Sequence, residues 1–203
     1  MLKNKIPNFL TVIRIILIPI IIFSFYVPSK ITNIIVASLF LGASITDFFD
    51  GYLARALKAQ SNFGRCLDPI ADKLLVAVSL IMLVNFSNQN LLILVPSIII
   101  ICREIMVSGL REFLATLNVG VPVTRLAKWK TAIQMVAITA LLLASKGSDF
   151  VYNEIMDIME AEDFVRYSLE GVIQSIGEVL LCVSAIMTII TGYIYFKVGA
   201  KNF

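Results

Sequence analysis

The chain has 203 residues, of which 59% are hydrophobic and only 15% are charged, and its formal net charge is +3. Soluble domains contain roughly 45–50% apolar residues, so this composition excludes an ordinary soluble domain and indicates a membrane protein that contacts the lipid bilayer. Histidine is absent, which leaves acid–base and metal chemistry mainly to carboxylates. No nucleic-acid partner is expected.

Six apolar runs follow one another along the chain. They cover residues 9–27, 31–49, 70–86, 91–110, 129–145 and 172–196. Most of them approach or exceed the roughly 17–25 residues that cross a hydrocarbon core. We therefore predict an all-α, polytopic membrane protein built as a bundle of six transmembrane helices. Little of the chain is left for a second domain, so we predict one domain over residues 1–203.

The basic residues predict the orientation of these spans. Most lysines and arginines outside the apolar runs lie near the two termini, between the second and third runs, and between the fourth and fifth. Cytoplasmic segments are enriched in such residues, so we predict that both termini lie on the cytoplasmic side of the inner (plasma) membrane. The segment 148–170 holds seven acids and one arginine. It is expected to be a solvated outer loop, which could include a short amphipathic helix.

Four aspartates lie where the second run ends and the third begins, within the stretch DFFDGYLARALKAQSNFGRCLDPIAD. They are Asp47, Asp50, Asp68 and Asp72. The first two are three residues apart and the last two are four residues apart, so each pair shares one face of a helix. Gly51 and Gly64 lie on the same faces. Each pair of carboxylates thus overlooks bare backbone that a bulky ligand can approach.

The four aspartates predict a metal site. Carboxylates that face one another at a low-dielectric boundary stay charged only if cations neutralise them. Hard oxygen ligands without histidine suit Mg²⁺ or Mn²⁺, and we predict two such ions. A paired-metal site clamps the oxygens of a phosphoryl displacement, and Arg55 adds positive charge for a phosphate. The alternative is that the acids only cap helices or pair with nearby basic residues, which the repeated spacing disfavours.

This pattern resembles the complete signature of the CDP-alcohol phosphotransferase family. The matching positions are Asp47, Asp50, Gly51, Ala54, Arg55, Gly64, Asp68 and Asp72. Members are six-span membrane enzymes in which an alcohol displaces CMP from a CDP-linked donor with the help of two divalent cations. The resemblance implies that the four aspartates ligate the metals and that Asp72 is also the base that takes the proton of the alcohol. It further implies that Gly51, Arg55 and Gly64 line the CDP site and that the protein is a homodimer.

Three further stretches, 6–23, 103–115 and 126–138, resemble family members that act on CDP-diacylglycerol and glycerol 3-phosphate. The first of them implies that three polar residues lie on the helix beside the nucleotide. They are Asn8, Thr11 and Arg14. Ala127 departs from the glycine expected at that position, and the acidic outer segment is longer than expected. Neither departure touches the metal signature.

The basic residues of the fourth and fifth runs predict an acceptor that carries a phosphate. Arg103 and Glu104 interrupt an apolar run, and Arg111 lies about 80° from Arg103 around the helix. Two more lysines flank Trp129. The predicted acceptor-phosphate ligands are Arg103, Arg111, Lys128 and Lys130. Two alternatives remain open: Arg103 could only pair with Glu104, and the lysines could be interfacial anchors.

The sequence therefore predicts transfer of a phosphatidyl group from CDP-diacylglycerol to sn-glycerol 3-phosphate, with release of CMP. Two other functions remain open. The same chemistry could use serine or another acceptor, or the acids could belong to a divalent-cation transporter. A transporter needs acids along a path through the bilayer, whereas these cluster at one face. Glu178 is alone in the sixth run and is expected to bond a neighbouring helix.

Overall fold

The computed structural model describes residues 5–27, 29–57, 62–87, 90–117, 125–145 and 161–200. The described residues form six helices and no strand, so the all-α prediction is confirmed. The helices are α1 (Lys5–Ser24), α2 (Lys30–Leu57), α3 (Asn62–Asn85), α4 (Leu91–Thr116), α5 (Arg125–Ala144) and α6 (Ala161–Gly199).

Several helices are longer than the apolar runs that predicted them. α2 continues to Leu57 and α3 begins at Asn62, so both helices extend into the charged segment between the second and third runs. α6 begins at Ala161, so the second part of the expected outer loop is helical. The other residues of that loop from Ser148 onward lie outside the described residues. Apolarity marks only the part of a helix that is suited to hydrocarbon, and the backbone hydrogen bonds of a helix continue beyond it.

In the described part of the chain, three helical segments are long and apolar enough to cross a membrane, namely Leu91–Thr116, Arg125–Ala144 and Leu169–Gly199. Within the described residues, Val12–Ser24 and Ile31–Thr46 are shorter apolar helices. Large apolar side chains cover the outside of the protein, among them Phe23 and Ile31, each 70% exposed. These observations agree with a membrane protein, while the prediction of six spanning helices is not confirmed.

All six helices contribute to one hydrophobic core. Each supplies at least one side chain with no exposed surface, and these are Ile21, Phe40, Leu80, Ile100, Ile138 and Leu181. α6 packs most extensively along α5 and α4, and α1 packs against α3 and α2. A Cβ atom at Gly177 would lie 2.8 Å from Cγ of Leu141. Glycine at this position therefore allows α5 and α6 to approach closely.

Glu178 is hydrogen-bonded at the N-terminal end of α4. Nδ2 of Asn90 donates to Oε1 of Glu178 at 2.9 Å, and Nε2 of Gln174 donates to the same oxygen at 2.9 Å. Asn90 is also the N-cap of α4, because its side chain accepts a hydrogen bond from the backbone N–H of Leu92. The expectation that Glu178 bonds a neighbouring helix is confirmed.

Candidate active site

The four aspartates of the predicted metal site lie on two consecutive helices. Asp47 and Asp50 belong to α2, and Asp68 and Asp72 belong to α3. Between the two helices lie four residues, 58–61, which limit the Cα separation of Leu57 and Asn62 to at most about 19 Å. Of these four aspartates, the described side chains include only that of Asp72. The mutual geometry of the carboxylates therefore stays a prediction.

The proposed CDP site lies on the same helices. Asn8 belongs to α1, Gly51 and Arg55 to α2, and Gly64 to α3. The side chains at these positions lie outside the described ones. Among the side chains that the structure does describe, no group of three or more His, Cys, Asp or Glu could hold a metal ion. Of the predicted metal ligands, only Asp72 has a side chain whose contacts can be described.

Asp72 is held by an arginine from α1. Nη1 of Arg14 donates to Oδ1 of Asp72 at 2.8 Å, and the arginine side chain is 3% exposed whereas the aspartate side chain is 32% exposed. A charge-assisted hydrogen bond from a buried guanidinium restricts the position of the carboxylate. Because the pair joins positions 58 residues apart, Arg14 anchors one edge of the predicted metal site to α1.

A cavity of about 830 Å³ lies among α2 to α6. All four residues predicted to bind the acceptor phosphate line it, namely Arg103, Arg111, Lys128 and Lys130. Pro69 and Lys73 of α3 line the same cavity, so it reaches the helix that carries Asp68 and Asp72. The structure thus brings the predicted acceptor residues together in one cavity that reaches α3. Their binding of a phosphate stays a prediction.

Two of the four cations are already paired with a carboxylate. Oε1 of Glu104 accepts a hydrogen bond from Nζ of Lys130 and lies 3.3 Å from Nη1 of Arg103. Nη2 of Arg103 also donates to Oγ1 of Thr191 at 2.9 Å, and the guanidinium lies 5.5 Å from the centre of the Tyr195 ring. We refer to Glu104, Lys130, Arg103 and Thr191 as the Glu104 cluster. It ties α4, α5 and α6 together.

This cluster decides between the alternatives for two residues. Arg103 does pair with Glu104, and Lys130 joins them from α5. Lys130 is only 2% exposed, whereas an interfacial anchor keeps its ammonium group in water. The geometry therefore favours a charge-paired, internal position for both cations.

The other cations of the cavity have no such partner. Arg111 and Lys128 are exposed, and neither makes an ion pair with any residue that the structure describes. Nζ of Lys73 donates to Oγ of Ser108, a neutral group. Among the described residues, five basic and two acidic side chains line the cavity, the second acid being Glu112. This balance of charge suits an anionic ligand.

Lys73 is the residue of this site that sequence reasoning missed. It immediately follows Asp72 and lies inside the third apolar run. An ionisable residue within a membrane segment indicates a functional site, and this signal could have identified it. Its partner Ser108 could not have been found in this way, because a serine on an apolar helix carries no comparable signal.

The chain is similar to known proteins over its whole length. A sequence model of the family described as CDP-alcohol phosphatidyltransferase matches residues 4–190. The CDP-diacylglycerol–glycerol-3-phosphate 3-phosphatidyltransferase of Rickettsia bellii is 45% identical over 202 residues, which cover 100% of this chain and 99% of that protein. The protein of the same name from Cereibacter sphaeroides is 38% identical over 209 residues, with 95% and 94% covered. An Arabidopsis thaliana protein named CDP-diacylglycerol–glycerol-3-phosphate 3-phosphatidyltransferase 2 is 44% identical over 155 residues, with 71% and 66% covered.

Proposed function

Since the chain belongs to the CDP-alcohol phosphatidyltransferase family, we propose that it transfers a phosphatidyl group from CDP-diacylglycerol to sn-glycerol 3-phosphate. The products are phosphatidylglycerophosphate and CMP, which makes the protein a transferase of phospholipid biosynthesis. The observation that carries this proposal is the full-length similarity to proteins named for that reaction.

The cavity supports a phosphate-bearing acceptor. Arg111 and Lys128 line it without carboxylate partners among the described residues, and guanidinium and ammonium groups are good ligands for phosphate. Serine has no net charge, because its carboxylate is accompanied by an ammonium group, so it would neutralise these cations less well than a phosphate does. Glycerol 3-phosphate provides that charge at one end and a primary hydroxyl at the other.

The reaction follows from the placement of the two substrates. The lipid tails of the donor stay in the bilayer, and its diphosphate lies at the site where the aspartates of α2 and α3 would hold the divalent cations. The primary hydroxyl of glycerol 3-phosphate attacks the β-phosphorus in line, a P–O bond forms, and the bond to the CMP oxygen breaks. Asp72 takes the hydroxyl proton, and Arg14 holds the carboxylate of Asp72 in place during this step. Asn8, Gly51, Arg55 and Gly64 bind the CDP group.

The predicted metal ligands suit two divalent cations, Mg²⁺ or Mn²⁺. The predicted ligands are oxygens only, which these ions prefer, and Asp72 is accessible enough to coordinate one of them. Asp47, Asp50, Asp68 and Asp72 would hold the ions. Bound there, the ions neutralise charge on the diphosphate and make CMP a better leaving group.

The membrane arrangement is part of the proposal. We place the protein in the inner (plasma) membrane as a multi-pass protein of six spans, with both termini and the active site on the cytoplasmic side. This orientation rests on the distribution of lysine and arginine along the chain. It gives the site access to soluble glycerol 3-phosphate and to a lipid donor in the same leaflet. A homodimer is proposed from the family resemblance.

The test is release of CMP by the purified protein in detergent. CDP-diacylglycerol and Mg²⁺ are supplied with glycerol 3-phosphate, with serine, or with no acceptor, and each reaction is repeated in excess EDTA. We expect CMP and phosphatidylglycerophosphate only with glycerol 3-phosphate and only without EDTA. If CMP were released with serine and not with glycerol 3-phosphate, serine would be the acceptor. Full turnover in EDTA would refute the metal site. Mg²⁺ uptake by proteoliposomes without any CMP release would instead favour a transporter.

A further inference from the structure

α3 presents two neighbouring charged residues to two different helices. Asp72 contacts Arg14 of α1, and Lys73 contacts Ser108 of α4. Successive residues of a helix lie about 100° apart around its axis, so the two side chains leave α3 in different directions. Asp72 belongs to the predicted metal site, whereas Lys73 lines the cavity that contains Arg111 and Lys128.

The surroundings of Lys73, which is half-buried, differ from those of Lys130, the buried lysine of the same cavity. The ammonium of Lys130 is neutralised by Glu104. That of Lys73 has a neutral hydroxyl as its partner, and no carboxylate among the described residues pairs with it. A partly desolvated cation without a counter-charge is costly in the empty protein and gains most from an anionic ligand.

We propose that Lys73 is a further binding residue for the phosphate of the acceptor, and that Ser108 is a positioning residue that holds the ammonium group of Lys73 toward the cavity. This inference rests on the proposed function. Lys73 could also meet the donor, because the diphosphate of CDP-diacylglycerol carries the same chemistry. The acceptor phosphate is favoured because Lys73 shares its cavity with Arg111 and Lys128, which form no ion pair with the described residues.

The first experiment compares steady-state constants for both substrates. Lys73→Met removes the charge but keeps a long apolar side chain, and Lys73→Arg restores a cation. We expect Lys73→Met to raise the KM for glycerol 3-phosphate about tenfold to a hundredfold, the range of a lost charge-assisted hydrogen bond, while the KM for CDP-diacylglycerol stays within about twofold. Lys73→Arg should recover most of this loss. Lys197→Met is the matched control, since Lys197 is an exposed lysine that does not line the cavity.

Ser108→Ala tests the positioning role. It removes the hydroxyl but leaves the ammonium of Lys73 in place, so the KM for glycerol 3-phosphate should rise by only about threefold. In the double variant with Lys73→Met, the serine substitution should add no further increase, because the group that it positions is gone. If Ser108→Ala raised the KM for glycerol 3-phosphate by the same factor in the Lys73→Met background as in the wild-type protein, the positioning role of Ser108 would be overturned.

The second experiment measures binding without turnover. Thermal unfolding of the detergent-solubilised protein is followed against glycerol 3-phosphate and, separately, against inorganic phosphate and glycerol. We expect both phosphates, but not glycerol, to raise the Tm of the wild-type protein, and Lys73→Met to need about tenfold or more of either phosphate for the same shift. This readout separates the two proposals, because it does not depend on which acceptor is turned over.

Two results would overturn the inference. One is an unchanged KM for glycerol 3-phosphate and unchanged phosphate protection in Lys73→Met. The other is an increase in the KM for CDP-diacylglycerol that equals or exceeds the increase for glycerol 3-phosphate, which would assign Lys73 to the donor. If Lys73→Met does not fold, Lys73→Gln and Ser108→Ala provide the same comparison.

Discussion

Two groups of paired charges lie on the helices of the candidate site, and they are built in opposite ways. In the Arg14–Asp72 pair, a buried arginine holds a carboxylate that is one-third exposed. In the Glu104 cluster, a carboxylate holds a buried lysine and an arginine. The first pair leaves a carboxylate partly accessible, whereas the second pairs two cations that line the cavity with one carboxylate. We therefore expect the first pair to serve chemistry and the second to serve helix packing.

This difference predicts which property each substitution changes. Removing one partner of a buried pair leaves an uncompensated charge, while removing both partners can cost little. Asp72 reaches solvent and can be hydrated when Arg14 is lost, but Lys130 is 2% exposed and cannot. Replacement of Arg14 should therefore mainly alter turnover. Changes to the Glu104 cluster should mainly alter stability.

The largest effect is expected for Asp72→Asn. The amide keeps the size of the side chain and one ligand oxygen but cannot accept a proton. Turnover should fall by about 10²- to 10⁴-fold, the usual effect of losing a general base. The measurement is kcat at saturating substrates over a titration of Mg²⁺.

Asp47→Asn is the comparison for this prediction. It removes a ligand charge but not the base, so additional Mg²⁺ should recover part of its activity. If excess Mg²⁺ restored Asp72→Asn to nearly wild-type turnover, Asp72 would be a metal ligand only. The base would then be another residue.

The next effect is expected for stability, in Glu104→Gln. This substitution leaves the ammonium of Lys130 buried without a counter-charge, so the free energy of unfolding should fall by about 3 kcal/mol or more. Adding Lys130→Met to the same chain removes the buried charge and should restore most of that loss. Denaturation of the detergent-solubilised variants measures both changes. If the double variant were no more stable than Glu104→Gln, the pair would not be the source of the loss.

Much of the fold was predictable from the sequence because apolar runs report which residues suit hydrocarbon. The six runs correspond to the six helices, although α2 and α6 extend beyond their runs. The ends could not be predicted in this way, because polar residues continue a helix as readily as they end it. The acidic residues from Ala161 onward illustrate this, since they begin α6 and do not belong to a loop.

The residue types of the candidate site were predictable, but their pairing was not. Arg103, Arg111, Lys128 and Lys130 could be selected as cations in or beside apolar runs, and they do line one cavity. Their division into paired and unpaired cations depends on Glu104 and Lys130, which are 26 residues apart. The Arg14–Asp72 contact spans 58 residues. Helical periodicity relates residues within one helix and gives no information on such contacts between helices.

A smaller effect on turnover is expected for Arg14→Met. The carboxylate of Asp72 remains but is no longer held by Arg14, and a displacement of about 1 Å can cost on the order of 10²-fold in rate. We expect kcat to fall about tenfold to a hundredfold, which is less than for Asp72→Asn. Arg14→Lys should recover only part of this, since an ammonium lacks the planar geometry of the guanidinium. Unchanged kcat with a large fall in Tm would assign the Arg14–Asp72 pair to packing, and the contrast with the Glu104 cluster would be lost.

The smallest effects are expected for the exposed cations of the cavity, Arg111 and Lys128. Neither is paired with a described residue, so replacing either by alanine should change the free energy of unfolding by no more than about 0.5 kcal/mol. The KM for glycerol 3-phosphate should rise about tenfold. This is at the low end of the increase expected for Lys73→Met, because water screens exposed charges more strongly than half-buried ones. The KM for CDP-diacylglycerol should not change.

Arg125→Ala provides the control, because Arg125 is an exposed cation at the start of α5 that does not line the cavity. If Arg125→Ala raised the KM as much as Lys128→Ala, general attraction of anions to a basic surface would explain both results. The same KM measurements at high salt distinguish the two kinds of cation. If high salt abolished the increase in KM caused by Lys128→Ala but not that caused by Lys73→Met, Lys128 would attract the substrate over a distance, whereas Lys73 would bind it directly.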